Sequence, residues 1–488
     1  MAVLAGIDVG TTHCKAVLCT PDGTVLAHAQ RRTPADGHVH DVARLQQAAL
    51  DALAACTAAA GRTPDAVGVT GMAETGAPLD RDGTPLLPAS SWSDPRPAAQ
   101  AERLRGDPGA AALHASTGIL PSPKVPLAKW HWLRDEHPAV LRRTHVWAGA
   151  ADLVAQALTG AVGTDATFAQ RTMAWDVRTG TWREDLLARA GLAPERMPTV
   201  RAPGEPVGRT GTATATAVVA AGVPVVVAGH DHLVGAWAAG VREAGQAADS
   251  MGTAEAVVTV GDGPPDAGAA AREGMSYGRH VDGRHWCVVA GMSGSGALVE
   301  WFCDRVLGLG DAPADERYGR FADLVGQAGD GPTGLTVEPY LYGRSAPRPD
   351  RDRRLAVHGV EARHGLPELA RGLLEGASHQ ARWMADVQGE LTGGGPPRTV
   401  TLLGGSVRLE AWTAVKAAVS PWRTLVCAVP DVACLGAAAW AGAALGLDPA
   451  AVTGERYEVR PRPEIARAHR AAHAREFLPT VQAGGAGG

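Results

Sequence analysis

The chain has little lysine. Four residues, at positions 15, 124, 129 and 416, stand among 46 basic residues in 488. Arginine, alanine and glycine are abundant instead, a bias that GC-rich coding would produce, so a lone Arg or Ala says little about function. Cysteine is also sparse and scattered, at 14, 19, 56, 287, 303, 427 and 434, with no Cys-x-x-Cys pair. That excludes a disulfide framework and a zinc ribbon, and it reads as reduced, buried thiols in a cytoplasmic protein. Aromatic residues make up 5%, with Trp outnumbering Phe and Tyr. No basic excess exists: the formal net charge is -5, which argues against a nucleic-acid surface or an anionic-lipid surface. The longest apolar stretch, 217–229, is too short to span a bilayer and contains Pro224. The N-terminus lacks a basic segment and Asp8 interrupts its apolar start, so no signal peptide is expected.

What is present is a soluble globular composition, 45% hydrophobic and 20% charged, on a chain long enough for two domains. Its most informative segment is Gly6-Ile7-Asp8-Val9-Gly10-Thr11-Thr12, an apolar strand breaking into a glycine turn, followed at once by a second strand, Ala16-Val17-Leu18-Cys19. The turn offers backbone N–H groups and hydroxyls to phosphate oxygens, and its carboxylate can hold hydrated Mg²⁺. P-loops and dinucleotide turns lead from a strand into a helix. This one leads into another strand, which points to the actin-like ATPase fold. The plain alternative is an ordinary hairpin with a surface Asp.

Further along, strands are expected at 3–8, 15–19 and 24–30, a helix at 41–59 with Val42, Leu45, Ala49, Ala52 and Leu53 on one face, and a buried strand at 66–70. Helices follow at 125–135 and 150–159. A strand at 223–228 ends in Gly229-His230-Asp231-His232, and 233–239 reads as helix. From about Arg242 a second unit begins, with a strand and turn at Ser250-Met251-Gly252-Thr253, a turn at Val281-Asp282-Gly283, and a long helix from Leu366 to about Leu391. A strand at 399–403 runs into Gly404-Gly405-Ser406. A helix at 409–419, a strand at 424–428 and an Ala-rich helix at 433–445 complete it. Each half thus has a strand leading into a Gly-Thr turn, as a duplicated nucleotide-binding fold requires. His38 and His40 read as a solvated loop, with no third ligand near enough for a metal site. Trp130 and Trp132 read as helix packing.

In this order the motifs resemble the FGGY carbohydrate kinases. Gly6–Leu18 is similar to the family's first phosphate motif, and Gly68-Val69-Thr70-Gly71-Met72 with Trp92-Ser93-Asp94-Pro95-Arg96 to its sugar-binding segments. Thr164-Asp165-Ala166-Thr167 and Met173-Ala174-Trp175-Asp176 resemble its mid-chain signature. Gly229-His230-Asp231 fits the catalytic aspartate, Gly252-Thr253 the second phosphate motif, and Leu403-Gly404-Gly405-Ser406 through Trp412 the adenosine motif. Pro339–Arg344 with Pro347, and Leu435-Gly436-Ala437-Ala438, resemble two further family segments. The resemblance implies two actin-like (ribonuclease H-like) α/β ATPase domains with a cleft between them: 1–241 for sugar and catalytic base, 242–481 for nucleotide, and a disordered Gly-rich tail at 482–488.

The resemblance also implies roles. Asp231 would be the general base for phosphoryl transfer from ATP to a primary hydroxyl of a small sugar or polyol. Read from the residues alone, it is more simply an N-cap of the helix starting at Leu233. Asp8 would hold Mg²⁺. Thr11, Thr12 and Lys15 would contact phosphate oxygens, Lys15 having the alternative of a solvated strand lysine, and Gly252 and Thr253 would meet the γ-phosphate. Gly404, Gly405 and Arg408 would receive the nucleoside, with Ser406 where the family's third glycine usually stands. Glu74, Trp92, Asp94, Arg96, Asp231 and His232 would contact the sugar. After Gly71, glycerol kinases carry Arg-Glu and xylulokinases Met-His, whereas this chain has Ala73-Glu74 and so lacks both the glycerol-type Arg and the xylulose-type His. Trp92-x-Asp94-x-Arg96 leans toward ketopentose kinases, and Gly229-His230-Asp231 also resembles fuculokinases. A cytoplasmic enzyme with no nucleic-acid or membrane partner follows, and the family allows a homodimer. The readings from other classes are an actin- or Hsp70-like ATPase switch binding a protein partner, and an inactive sugar-binding homologue.

Overall fold

A computed structural model describes residues 1–211 and 218–483. The chain divides into two compact units that interleave in sequence. The first comprises Met1–Gly240, Ser276–Cys287 and Val429–Gly454; the second comprises Val241–Met275, Val288–Ala428 and the segment from Glu455 onward. The expected single cut between 241 and 242 therefore captures only the first crossing.

The return of 429–454 has a packing reason. In the strand Leu4–Val9 alternate side chains face opposite ways. Ile7 and Val9 join Leu45, Ala49 and Leu53 of the helix Val42–Ala60 in one core. On the opposite face, Gly6 and Gly68 leave room for the helix Val432–Ala443: a Cβ at either would lie 1.8 Å from the Cys434 carbonyl oxygen or 1.9 Å from that of Ala437. The helix rests on backbone, which only glycine on the strands permits. Asp41 caps the Val42–Ala60 helix by accepting from the Arg44 N–H at 2.9 Å.

The first unit's main sheet runs in the order Gly208–Arg209, Pro224–His230, Ala66–Gly71, Leu4–Val9, His13–Cys19, Val25–Arg32. Leu4–Val9 is antiparallel to His13–Cys19 and parallel to Ala66–Gly71, which is in turn parallel to Pro224–His230. In the second unit the order Trp286–Met292, Glu255–Gly261, Gln246–Met251, Thr399–Leu403, Arg423–Cys427 repeats that plan, with Arg456–Val459 added at the edge. The long helix Leu366–Leu391 is tied to this sheet through Gln388, which accepts from the Thr259 hydroxyl at 2.7 Å and donates to the Val257 carbonyl at 2.8 Å. A mixed sheet of this order in each unit is the actin-like ATPase arrangement.

Several expectations change in detail. His40 is not solvated: it is 2% exposed on the short strand Val39–His40, its Nδ1 2.8 Å from the Pro34 carbonyl oxygen. Gln482 closes the helix Leu478–Gln482 rather than opening a loose tail, and 484–488 lie outside the described residues. All seven cysteines are free and buried. No helix among the described residues is long and apolar enough to cross a membrane.

Candidate active site

Three parallel strands of the first unit end side by side. Asp8 pairs in register with Thr70, and Thr70 with Gly229. The register of the third strand slips between Val227 and Gly229, and Gly229 takes φ +115°, a conformation open to glycine. The Thr70 hydroxyl donates to the Gly229 carbonyl at 2.5 Å, and the His230 N–H donates to the Thr167 hydroxyl at 2.8 Å. Asp165 in turn caps the helix Ala166–Arg171, accepting from the Thr167 and Phe168 N–H groups at 2.7 and 3.2 Å and from the Thr167 hydroxyl. The segment 164–167 thus clamps the bulge from which Asp231 projects.

Asp231 is the first residue of the helix Asp231–Ala238, and His230 holds the N-cap position. The capping role that local sequence favoured is therefore not the role it plays. Its Oδ1 accepts from the His232 N–H at 2.7 Å and lies 3.2 Å from His230 Nε2. Burial, with Glu74 adding to it, raises the Asp231 carboxyl above the usual range, against the opposing pull of His232 and Lys15. Burial also keeps His230 neutral. His230, Asp231 and His232 offer ligand atoms within 4.8 Å of one another. A metal bound there would engage the Asp231 carboxylate.

Asp8 is 8% exposed, and its Oδ1 has no hydrogen-bond partner among the described residues. Burial and then the Asp231 charge push its carboxyl up to about 7. Lys15 stands opposite Asp8 in the hairpin, but its ammonium pairs with Asp431 at 3.2 Å. A buried, unpartnered carboxylate oxygen beside further carboxylates is costly in the free protein and suits a hard divalent cation such as Mg²⁺.

On the sugar side, Glu74 sits at φ +61° and is held by Arg171, whose Nε and Nη2 both converge on Oε1, the former at 2.8 Å. Burial pushes the Glu74 carboxyl up, but Arg171, Lys124 and Lys129 outweigh it and hold the group below its ordinary value. Lys129, 1% exposed, donates to the carbonyl oxygens of Glu74, Ser90 and Ser91 at 2.7, 3.1 and 2.7 Å. The Trp92 indole N–H donates to the Thr11 hydroxyl at 2.9 Å, and Lys124 lies over the ring at 5.7 Å. Thr11 is therefore bound to the Trp92 loop, while Thr12 is exposed.

Asp94 and Arg96 pair with each other. Asp94 accepts from Ser90 Oγ at 2.7 Å, from Arg96 Nε at 2.9 Å and Nη2 at 2.6 Å, and from the Arg96 N–H at 3.0 Å, and its side chain has 0% exposure. Its acceptor capacity holds the loop, and Arg96 lies over the Trp132 ring at 4.6 Å. His232 is half-buried and sits edge-on to His230.

In the second unit, Gly252 is half-buried and Thr253 exposed at the turn between Gln246–Met251 and Glu255–Gly261. Gly404 takes φ +98°, and a Cβ there would lie 2.6 Å from the Met251 carbonyl oxygen, so its bareness serves the packing of the two turns. Nothing lies within 4 Å of where a Gly405 Cβ would stand, and Arg408 is exposed.

The sequence reading missed Arg171, Asp431 and the clip made by Lys129. Arg171 lies 97 residues from Glu74, and nothing local to either marks the pair. For Lys129 a signal did exist, since one of only four lysines lies in a helix of otherwise ordinary packing residues.

Residues 3–238 match the N-terminal domain, and residues 247–445 the C-terminal domain, of the FGGY family of carbohydrate kinases. The chain belongs to that family and is a carbohydrate kinase. It is 27% identical over 421 residues to a xylulose kinase of Escherichia coli (strain K12), covering 85% of this chain and 84% of the other. It is 28% identical over 467 residues to a glycerol kinase of Rhodospirillum rubrum, covering 92% and 91%. Its fold superposes on the crystal structure of gluconate kinase from Lactobacillus acidophilus with a TM-score of 0.88 at 21% identity, covering 99% and 98%.

Proposed function

We propose that this chain transfers the γ-phosphoryl group of ATP to a primary hydroxyl of a small sugar or polyol, a ketopentose being favoured, with Asp231 as general base and Asp8 as the anchor for Mg²⁺. The observation that carries the reading is the pair of carboxylates at the ends of the two parallel strands that flank Ala66–Gly71, Asp8 with an unpartnered oxygen and Asp231 just after a clamped bulge. Asp231 accepts the hydroxyl proton as the sugar oxygen bonds to phosphorus and ADP leaves. Its raised affinity for protons suits that task. Asp8 would hold the Mg²⁺, which would supply positive charge to offset that of the phosphates.

Thr12, Lys15, Gly252 and Thr253 approach the phosphates in this reading, with Thr11 holding Trp92 in place beside them. Gly404, Gly405 and Arg408 take the nucleoside. Glu74, oriented by Arg171, accepts from sugar hydroxyls, Trp92 covers an apolar C–H face, and His232 borders the reacting hydroxyl. Asp94 and Arg96 act by holding the Trp92 loop. Trp92-x-Asp94-x-Arg96 and the absence of the glycerol-type Arg at Ala73 support the ketopentose preference, while the xylulose-type His is absent from the same segment.

Two experiments test this. A coupled ADP-release screen across ketopentoses, deoxyketoses, tetritols, glycerol and aldonates should show the highest kcat/KM on a ketopentose; a best substrate from another class removes the preference. Asp231→Asn should lose at least ~10²-fold in turnover while ATP still binds. Near-normal turnover in that variant removes the base assignment.

A further inference from the structure

The second hairpin is held by a buried charge network. Lys416 Nζ lies 2.5 Å from Asp249 Oδ2 and 2.5 Å from Glu255 Oε1. Ser295 Oγ donates to Glu255 Oε2 at 2.6 Å. The four residues are 3%, 4%, 1% and 0% exposed, in the order Lys416, Asp249, Glu255, Ser295. Asp249 and Glu255 bracket the Gly252-Thr253 turn in sequence, one on each strand of the hairpin. Ser295 precedes the helix Gly296–Trp301, whose first N–H groups donate back to the turn: Gly296 to the Gly252 carbonyl and Ala297 to the Thr253 carbonyl, both at 3.0 Å. A Cβ at Gly296 would lie 2.6 Å from the Gly252 oxygen, so the helix start and the turn are in direct backbone contact. Lys416 belongs to the helix Glu410–Val419, which follows the Gly404–Arg408 segment.

Burying three ionisable groups is expensive, and apolar packing of similar volume would hold these elements at equal or better stability. What apolar packing lacks is direction. Here one ammonium fixes the spacing of two strands, and one hydroxyl fixes the helix start against them.

We propose that Lys416, Asp249, Glu255 and Ser295 form a positioning device for the phosphate-contacting turn, setting the carbonyl and N–H directions at Gly252 and Thr253 and linking them to the helix after the nucleoside segment. This rests on the reading of Gly252-Thr253 as a phosphate contact. None of the four side chains touches the nucleotide in this scheme. Their effect falls on the β- and γ-phosphates and spares the adenosine end.

The test uses the full-length protein and two probes, the magnesium complex of a non-hydrolysable ATP analogue with a β,γ-imido bridge, and AMP, with affinities measured by calorimetry. Ser295→Ala should weaken the triphosphate probe about 3–10-fold, the size of one lost hydrogen bond, with AMP affinity unchanged. Glu255→Ala should weaken it further, and Glu255→Gln should recover most of the loss. If Glu255→Ala fails to fold, the Ser295→Ala pair of affinities still decides. Unchanged affinity for the triphosphate probe in Ser295→Ala overturns the proposal, as does an equal loss for AMP, which would mark general loosening of the unit. Thr253→Ala separates the two readings. If it weakens the triphosphate probe and Ser295→Ala does not, the turn binds phosphate and the network is merely structural. If Thr253→Ala has no effect, the phosphate reading itself falls.

Discussion

The hairpin that begins at Leu4 and the one that begins at Gln246 share a pairing plan. In each, the first strand is antiparallel to its successor and parallel to a later strand, Ala66–Gly71 in one case and Thr399–Leu403 in the other. Each carries an aspartate shortly before the glycine of the turn. There the likeness stops. Among the described residues no ion pair reaches Asp8, and the lysine opposite it is engaged by Asp431. Asp249 has Lys416 at 2.5 Å, and the same ammonium serves Glu255. Asp8 Oδ1 and Asp249 Oδ1 are both buried without a hydrogen-bond partner among the described residues, so the two turns differ in the ion pair: the second has a lysine on its aspartate and the first does not. The topology is indifferent to the choice; the side chains decide which turn carries its own lysine.

The largest effect should come from removing the closing charge. Lys416→Met leaves two carboxylates buried without their cation and should lower unfolding free energy by about 3–5 kcal/mol, read by denaturant titration. A loss under about 1 kcal/mol would mean that the network behaves like a surface pair, and the contrast between the hairpins would collapse. At the other hairpin the sign reverses. Asp8→Asn removes an uncompensated buried charge, so the ligand-free protein should melt at the same or a higher temperature. Turnover should nevertheless fall about 10²–10³-fold, with its Mg²⁺ dependence disturbed. An Asp8 variant with wild-type metal dependence would show that the open carboxylate is not the anchor.

These contrasts explain what could be read in advance. The helices 150–159 and 366–391 were expected at the bounds observed, because an apolar face at helical spacing is a local pattern. The strand–turn–strand motif around Asp8 and the strand ahead of Asp231 were legible for the same reason. The helix start at Asp231 was placed two residues late, since Asp before an apolar run is also what an N-cap looks like. The closing of charges left no local pattern. Lys416 lies 167 residues from Asp249, Arg171 lies 97 from Glu74, and the helix Val432–Ala443 returns to the first sheet after the second unit has intervened. Such pairings leave no periodicity. Their trace was compositional: in a chain that uses arginine almost everywhere, lysine survives at the Asp431 pair, over the Trp92 ring, in the triple carbonyl clip and in the Asp249–Glu255 network. A compact ammonium with three rotatable donors suits the carbonyl clip, whose three acceptors it meets at once.

Backbone contact between the turn strand and the Gly404–Arg408 segment gives a smaller test. Gly404→Ala places a Cβ 2.6 Å from the Met251 carbonyl at φ +98°. It should cost about 1–3 kcal/mol of stability through strain and should also weaken nucleotide binding, because the two segments shift together. Gly405→Ala meets open space and should leave stability within about 0.5 kcal/mol. Equal losses in the two variants would show that the glycine pair serves flexibility rather than the packing of one turn on the other.

The finest distinction between the hairpins lies in pH. Burial, reinforced by Asp249, raises the Glu255 carboxyl to about 7 against the pull of Lys416 and Ser295. In the unfolded chain the group titrates near 4.5. Between those values the folded protein holds the proton more tightly than the unfolded one, so this group's contribution falls as pH rises from about 4.5 to about 7, by at most ~1.4 kcal/mol per pH unit. Glu255→Gln fixes the neutral form and keeps the shape. Its stability, measured across that window, should decline less steeply than that of the wild type, with the two curves closest at the acid end. Parallel curves would mean that Lys416 holds Glu255 ionised throughout, and that the second hairpin is closed by charge alone without sharing a proton.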